Sequence, residues 1–487
     1  MSLLKTSLTS SDKVVFWCFG TLLLGSLIAA ISLENIFALA IPLIGIALIL
    51  VITNYRFLYF LLLFSLPFSM QIGLPGGLTM DVPSEPLMLV ISGCFIASLL
   101  AGTKIDKRFF SHPLVIIVSL MYLWALAITF ISVDTTKSIK YLLAKAWYII
   151  PFLLFTGSIV KNVKDIRRIL WYFFIPLSGL VILILLKHSH LYFAFDAVQQ
   201  SVSPFFLNHV IYAATVALFI PYVVTLILLE KAWLKPILLG VLLVLLIGVG
   251  YSYTRASWLS LPLAGLYFLA IRFQITKIAV TLSYLGAFIA LGYMIYQNNF
   301  MLYAPDYEKT IWNGDNLEKH LEATYKFEDV SGMERVYRWV AAINMVQDKP
   351  LTGSGPSTFY PEYKKYTVKS FQTYVSNNPE KSTTHNYFLL QLAEQGIIGL
   401  ILFLILIAYL LILPETLYFR TKKPEYRAVI VGTALCLLVI IFHLTLNELI
   451  EVDKIGSFFF ISIAFLIKLD IWTKDEKRRE LLEAAGK

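Results

Sequence analysis

The sequence predicts an all-α polytopic membrane protein, a transmembrane helical bundle of about 12–14 spans with one large helix-containing loop outside. Of its 487 residues, 58% are hydrophobic and only 15% are charged, against roughly 45–50% apolar and about 25% charged in soluble domains. Mean hydropathy is +0.75. The apolar residues fall in runs of about 20, the length that crosses a bilayer as a helix. These observations exclude an ordinary soluble enzyme, a disordered chain and a disulfide scaffold. Cys18, Cys94 and Cys436 sit in separate apolar runs with no redox or metal spacing, and read as small core residues.

Taken in order, the apolar segments are 14–33, 35–53, 56–70, 86–102, 113–132, 142–160, 168–187, 205–229, 235–251, 256–273, 276–297, 385–412, 427–449 and 455–473. The first follows Lys5 and Lys13 like a signal peptide, but it exceeds an h-region of about 7–15 residues and reads as a retained span. The third is short, and a re-entrant segment is its alternative. Counting Lys and Arg with the N-terminus inside puts 24 on inner connections and 6 on short outer ones, so positive-inside bias predicts both termini in the cytoplasm. The net charge of +9 then reflects basic cytoplasmic loops rather than nucleic-acid binding. Three regions follow: an N-terminal bundle of about eleven spans over 1–297, a large periplasmic loop over 298–384, and C-terminal spans with a basic cytoplasmic tail over 385–487.

This topology places Tyr251 to Arg255, the loop 298–384 and His385 on one outer face. A loop that long is usually functional. ATP is absent on the outer side of a bacterial inner membrane, so chemistry there needs a substrate that arrives activated. Within the loop, 333–347 reads as an amphipathic helix with Val336, Trp339, Val340, Ile343 and Val346 on one stripe. Arg335 lies beside the stripe. Arg338 lies nearer the polar side, where its bland reading is an exposed pair with Glu334. Gly353-Ser-Gly355-Pro356 is a turn whose backbone N–H groups can face an anion, but it lacks a P-loop ending. Ser382, Thr383 and Thr384 are natural N-caps, which puts His385 in the first turn of the next span. An imidazole there tends to stay neutral and can accept a proton from a hydroxyl; its bland reading is an interfacial polar residue. Glu394, nine residues on, faces roughly the opposite side and is expected to contact another helix or a loop. Arg255 sits in a tight connection beside the hydrocarbon. That placement is costly unless the charge is paired or solvated, and it marks a functional candidate over a snorkelling residue. A guanidinium fork suits phosphate.

These residues together resemble the O-antigen ligase and polymerase superfamily, from about Tyr251 to Gly399. The pieces are Thr254-Arg255-Ala-Ser-Trp-Leu, Arg335-Val-Tyr-Arg-Trp339, Pro350-Leu-Thr-Gly-Ser-Gly-Pro-Ser-Thr-Phe359, and His385-Asn followed by Leu-Ala-Glu394-Gln-Gly396-Ile-Ile-Gly399. Order and separation, rather than any one piece, carry the likeness. It implies a membrane GT-C type glycosyltransferase. Such an enzyme moves a glycan from undecaprenyl diphosphate to an acceptor hydroxyl at the periplasmic face, with inversion, no cofactor and no obligatory metal. The family's essential His maps onto His385 and its essential Arg residues onto Arg255 and Arg335, with Arg338 and Tyr253 as further substrate-binding candidates. The implied partners are the lipid-linked donor, lipid A-core or a growing glycan as acceptor, and membrane lipids. About twelve spans are usual in the family, against fourteen read here.

A ligase attaching polymer to lipid A-core is the leading reading. A polymerase and a protein O-oligosaccharyltransferase share the donor chemistry. A lipid-linked sugar transporter is the non-enzyme alternative, but the polar candidates gather at one face rather than at mid-depth, and no clear repeat relates the halves. A scaffold gains nothing from Arg255 beside hydrocarbon. Of the seven histidines, only His188 and His190 lie close together, without acidic or Cys neighbours at ligand spacing, so the sequence gives no reason for a metal.

Overall fold

The protein is described by a computed structural model that covers residue 25 and residues 56–74, 78–102, 106–303, 330–372, 376–378 and 382–485. The predicted span 14–33 apart from residue 25, the predicted span 35–53 and the loop stretch 304–329 lie outside the described residues. Every other predicted span corresponds to a helix. These helices are α1 (Arg56–Phe68), α2 (Ser84–Leu100), α3 (Pro113–Thr129), α4 (Thr135–Ile159), α5 (Val163–Ser189), α6 (His209–Leu229), α7 (Lys235–Gly250), α8 (Arg255–Arg272) and α9 (Thr276–Ile295). The loop helix α10 (Val330–Asp348) follows, then α11 (Tyr387–Arg420), α12 (Pro424–Leu444) and α13 (Asp453–Ala485). Among the described residues, eight helices are long and apolar enough to cross a membrane, and α1, α2 and α3 are shorter apolar helices. The chain is thus an all-α, multi-pass membrane protein.

Local chemistry sets the helix starts. Asn162 and Asp165 form a reciprocal capping box on α5, and the Asn208 side chain accepts the Ile211 N–H at the start of α6. Pro113 and Pro424 occupy first-turn positions in α3 and α12, where their missing N–H is not needed. Between α1 and α2 the chain forms an antiparallel hairpin, β1 (Met70–Leu74) with β2 (Leu78–Val82), pairing Met70 with Val82 and Ile72 with Met80. This hairpin was not foreseen, because a span was expected to run through its first residue.

α6, α12 and α13 form the centre. Helix α13 is almost wholly enclosed, whereas α9 is almost wholly exposed. Phe458 of α13 packs on Phe173 and Phe219 at ring distances of 4.4 and 5.2 Å, and Tyr222 on α6 bonds Ser462 on α13 at 2.7 Å. At the start of α13, Ser84 donates to Asp453 (2.7 Å) and Lys454 donates to the Ser69 carbonyl (2.9 Å). The hairpin is therefore fastened to the central helix at the end where α11 begins.

Candidate active site

His385 stands one residue outside helix α11. The cap is Asn386, whose side chain accepts the N–H groups of Phe388 (3.0 Å) and Leu389 (3.1 Å). The expectation that Ser382, Thr383 or Thr384 caps the helix, with His385 in its first turn, is therefore corrected. The physical reason is that the two threonine hydroxyls are engaged elsewhere. Thr384 donates to the Asn386 carbonyl (2.7 Å), and Thr383 donates to Glu448. His385 takes a left-handed backbone conformation, φ +51°, uncommon for a residue with a side chain. Glu448 Oε1 accepts the His385 backbone N–H at 2.5 Å, and Glu448 Oε2 lies 3.7 Å from His385 Nδ1. That second approach is within ion-pair range but too long for a hydrogen bond. Burial pushes the Glu448 carboxyl up, but His385 and the Thr383 hydroxyl outweigh it and hold the group below the usual carboxylate range. The His385 side chain remains 31% exposed, so the ring is held on one edge and open on the other.

Helix α10 clamps the strand leading to His385. Trp339 donates to the Thr384 carbonyl (2.9 Å), and Arg338 donates to the Thr383 carbonyl (3.3 Å) and to Glu334 (3.3 Å). Glu334 accepts in turn from Ser376 (2.6 Å). The predicted Arg338–Glu334 pair exists, but it is buried rather than exposed, with 7% of each side chain accessible. The buried arc is also displaced from the predicted stripe: Met333, Tyr337, Val340, Ala341, Ala342 and Met345 are the deepest apolar residues. The helix packs against protein on more than one side, and a single-stripe pattern does not anticipate that. Arg335 is half-buried on α10, one turn before Arg338.

The glycine-rich turn and the residues just after it present N–H groups to Glu394. Its carboxylate accepts from Ser357 (2.8 Å) and Phe359 (2.9 Å), while its own carbonyl accepts from Gly355 (2.9 Å). The expected loop contact for Glu394 is thereby located. The approach is possible because α11 breaks at Gly396, φ +67° and ψ −172°, a region open essentially to glycine alone. A Cβ there would lie 2.2 Å from the Leu351 carbonyl oxygen.

Arg255 is half-buried at the first position of α8. Two residues on, Ser257 bonds His443 Nε2 (3.0 Å), whose Nδ1 bonds the Val439 carbonyl (2.8 Å). The start of α8 is thus fixed to the end of α12, and the next connection carries Glu448. Arg255, Glu448 and His385 accordingly share one end of the bundle, with Arg335 and Arg338 reaching it through α10. Tyr253 contacts the connection that follows α5: its hydroxyl donates to the Phe193 carbonyl at 2.6 Å, and its ring packs on Phe195.

Two residues escaped the sequence reading. Glu448 was missed because only Lys and Arg were weighed in the outer connections. The crowding of Glu448, Glu451 and Asp453 between two spans was the available signal. Lys145 of α4 is buried with its Nζ 2.7 Å from Glu451, and it lines a small cavity of ≈ 50 Å³ with Tyr141, Tyr387, Gln391 and Gln395.

Residues 240–404 match the family model described as O-antigen ligase. No curated protein matches the chain. The matched stretch runs from within α7 to beyond the break in α11. It contains Arg255, Arg335, Arg338 and His385, and encloses the region 251–399 that carries the sequence resemblance. Over residues 240–404, about a third of its length, the chain is thus similar to the O-antigen ligase family, and this supports the resemblance to the O-antigen ligase and polymerase superfamily.

Proposed function

We propose that the protein transfers a glycan from undecaprenyl diphosphate to an acceptor hydroxyl at the periplasmic face of a bacterial inner membrane, with lipid A-core as the leading acceptor. The observation that carries this reading is the His385–Glu448 pair at the loop-to-helix junction, with His385 inside the stretch similar to the O-antigen ligase family. With Glu448 Oε2 3.7 Å from Nδ1, the other ring nitrogen, Nε2, is the proposed proton acceptor. The carboxylate also stabilises the imidazolium that forms when the ring takes a proton.

In the proposed reaction the acceptor hydroxyl attacks the anomeric carbon as its proton passes to Nε2 of His385. The bond from that carbon to the diphosphate breaks, and its electron pair leaves with the diphosphate. A single displacement of this kind inverts the anomeric centre. Arg255 and Arg335 meet the charge that grows on the leaving group. Arg338 is held by Glu334 and the Thr383 carbonyl. Its proposed part is to hold the strand on which His385 sits.

Deleting the gene in the native host and asking which lipid carries the surface glycan tests this reading. Long polymer stranded on undecaprenyl diphosphate, with bare lipid A-core, is the expected result. Lipid A-core capped by a single repeat would make the enzyme a polymerase. An unchanged glycan would overturn the lipid A-core acceptor and move the transfer to protein or to another polymer.

A further inference from the structure

A second cavity lies at the opposite end of α11 from His385. It has a volume of ≈ 440 Å³ and is lined along α11 by Ile405, Ala408, Ile412 and Thr416, ending at Arg420 and at Lys474 of α13. That volume is within the range of about 300–1,000 Å³ common for bound small molecules. From Ile405 to Thr416 the helix rises about 16 Å, close to the roughly 15 Å of one leaflet's hydrocarbon, half of a core about 30 Å thick. The apolar wall is therefore long enough to span one leaflet, and Arg420 follows one turn beyond it.

The charges at its mouth are unbalanced. Asp470 accepts from Arg420 (2.5 Å) and from Lys474 (2.6 Å), and His112 Nε2 lies 3.2 Å from it. Two permanent cations share one carboxylate. The nearby acids Asp475 and Glu476 are engaged with Arg108 (2.9 Å) and Thr421 (2.7 Å). Lys474 is 62% exposed on its side chain, so its ammonium is available to an oxyanion as well as to Asp470. Lys422, Lys423, Lys477, Arg478 and Arg479 add to the positive field at this end.

We propose that this groove binds one anionic phospholipid, with an acyl chain along α11 and the phosphate at Arg420 and Lys474. Length, apolarity and surplus charge together select a lipid of that sign; a basic site between membrane helices has the chemistry to hold such headgroups. The site is independent of the transfer reaction proposed above, and none of its residues belongs to that machinery.

Native mass spectrometry of the delipidated full chain, titrated with phosphatidylglycerol or phosphatidylcholine, tests the proposal. The expected result is one phosphatidylglycerol bound at least tenfold more tightly than phosphatidylcholine. Lys474→Glu is expected to abolish the preference, and Ala408→Trp to remove binding of both lipids at this site. If Ala408→Trp fails to fold, Lys474→Glu still decides, because its side chain is largely exposed. Equal binding of the two lipids, or a preference untouched by Lys474→Glu, would overturn the proposal. So would a photoreactive residue at position 408 that crosslinks to residues 14–53 of the chain instead of to lipid.

Discussion

At the scale of single residues, the account turns on how His385 is held. Its left-handed backbone, the Glu448 carboxylate on its N–H and the same carboxylate near Nδ1 fix the ring relative to the bundle rather than to its own helix. Glu448→Gln keeps the size and the acceptor oxygen but removes the charge. It is expected to lower kcat by roughly 10- to 1,000-fold with little change in KM, because the lost interaction strengthens only as the ring becomes cationic. A steady-state comparison in liposomes checks this; a change confined to KM would count against it. Because the Glu448 pKa is depressed in the fold, its stabilising contribution is complete above the ordinary carboxylate range and is lost as pH falls through the depressed value. Glu448→Gln should therefore flatten the acid limb of the melting profile. Arg255→Lys keeps the charge and loses the fork, and a drop of at least tenfold in kcat/KM is expected. His385 and Arg255 stand out in the sequence as candidates because each is a polar residue beside an apolar run. Glu448 was not, because its meaning lies in a partner 63 residues away, and spacing along a chain does not encode such a pair.

At the scale of elements, the loop between α9 and α11 is bolted to α11 by backbone geometry. The turn 353–359 closes on Glu394 only because α11 opens at Gly396. Gly396→Ala places a methyl against the Leu351 carbonyl in a backbone region that costs about 1–3 kcal/mol for a side chain before any clash. It should lower the melting temperature by several degrees and reduce transfer, as thermal unfolding and activity in the same detergent would show. A variant that melts like wild type would mean that the break is not needed. Apolar run length revealed the helices themselves, since burying backbone polar groups in lipid leaves helix as the available answer. The break, the displaced arc of α10 and the Asn386 cap were hidden, because each depends on which neighbour claims a given polar group.

At the scale of the whole molecule, each end of the bundle carries its own cluster of charges. Asp81, Glu448, Glu451 and Asp453 gather where α11 begins, with Lys145 and Lys454 beside them, and Arg108, Arg420, Lys468 and Lys474 gather where it finishes, against Asp106, Asp470 and Asp475. Positive-inside bias was readable from the sequence and predicts an outward site; a C-terminal reporter that fluoresces only when folded in the cytoplasm is expected to be bright. The acidic crowding has its own signature. Burial, reinforced by Asp453 and partly offset by Lys454, raises the Asp81 carboxyl to about 6. A raised acid pKa means that the fold loses stability as pH climbs from the unfolded value of 3.8 toward 6, and bears the full penalty above it. Asp81→Asn should therefore melt higher than wild type at pH 7.5 and equal to it near pH 4. The hairpin that brings Asp81 to Asp453 joins residues far apart in the chain, and so it had no sequence signal.

The central claim is that His385 is the base of a glycosyl transfer from a lipid diphosphate. The most direct test is a single-turnover assay of reconstituted His385→Ala with an undecaprenyl-diphosphate-linked glycan and its acceptor, run beside wild type. The account predicts a loss of about 10²- to 10⁴-fold in the transfer step, with donor binding retained. Transfer at near wild-type rate would contradict it.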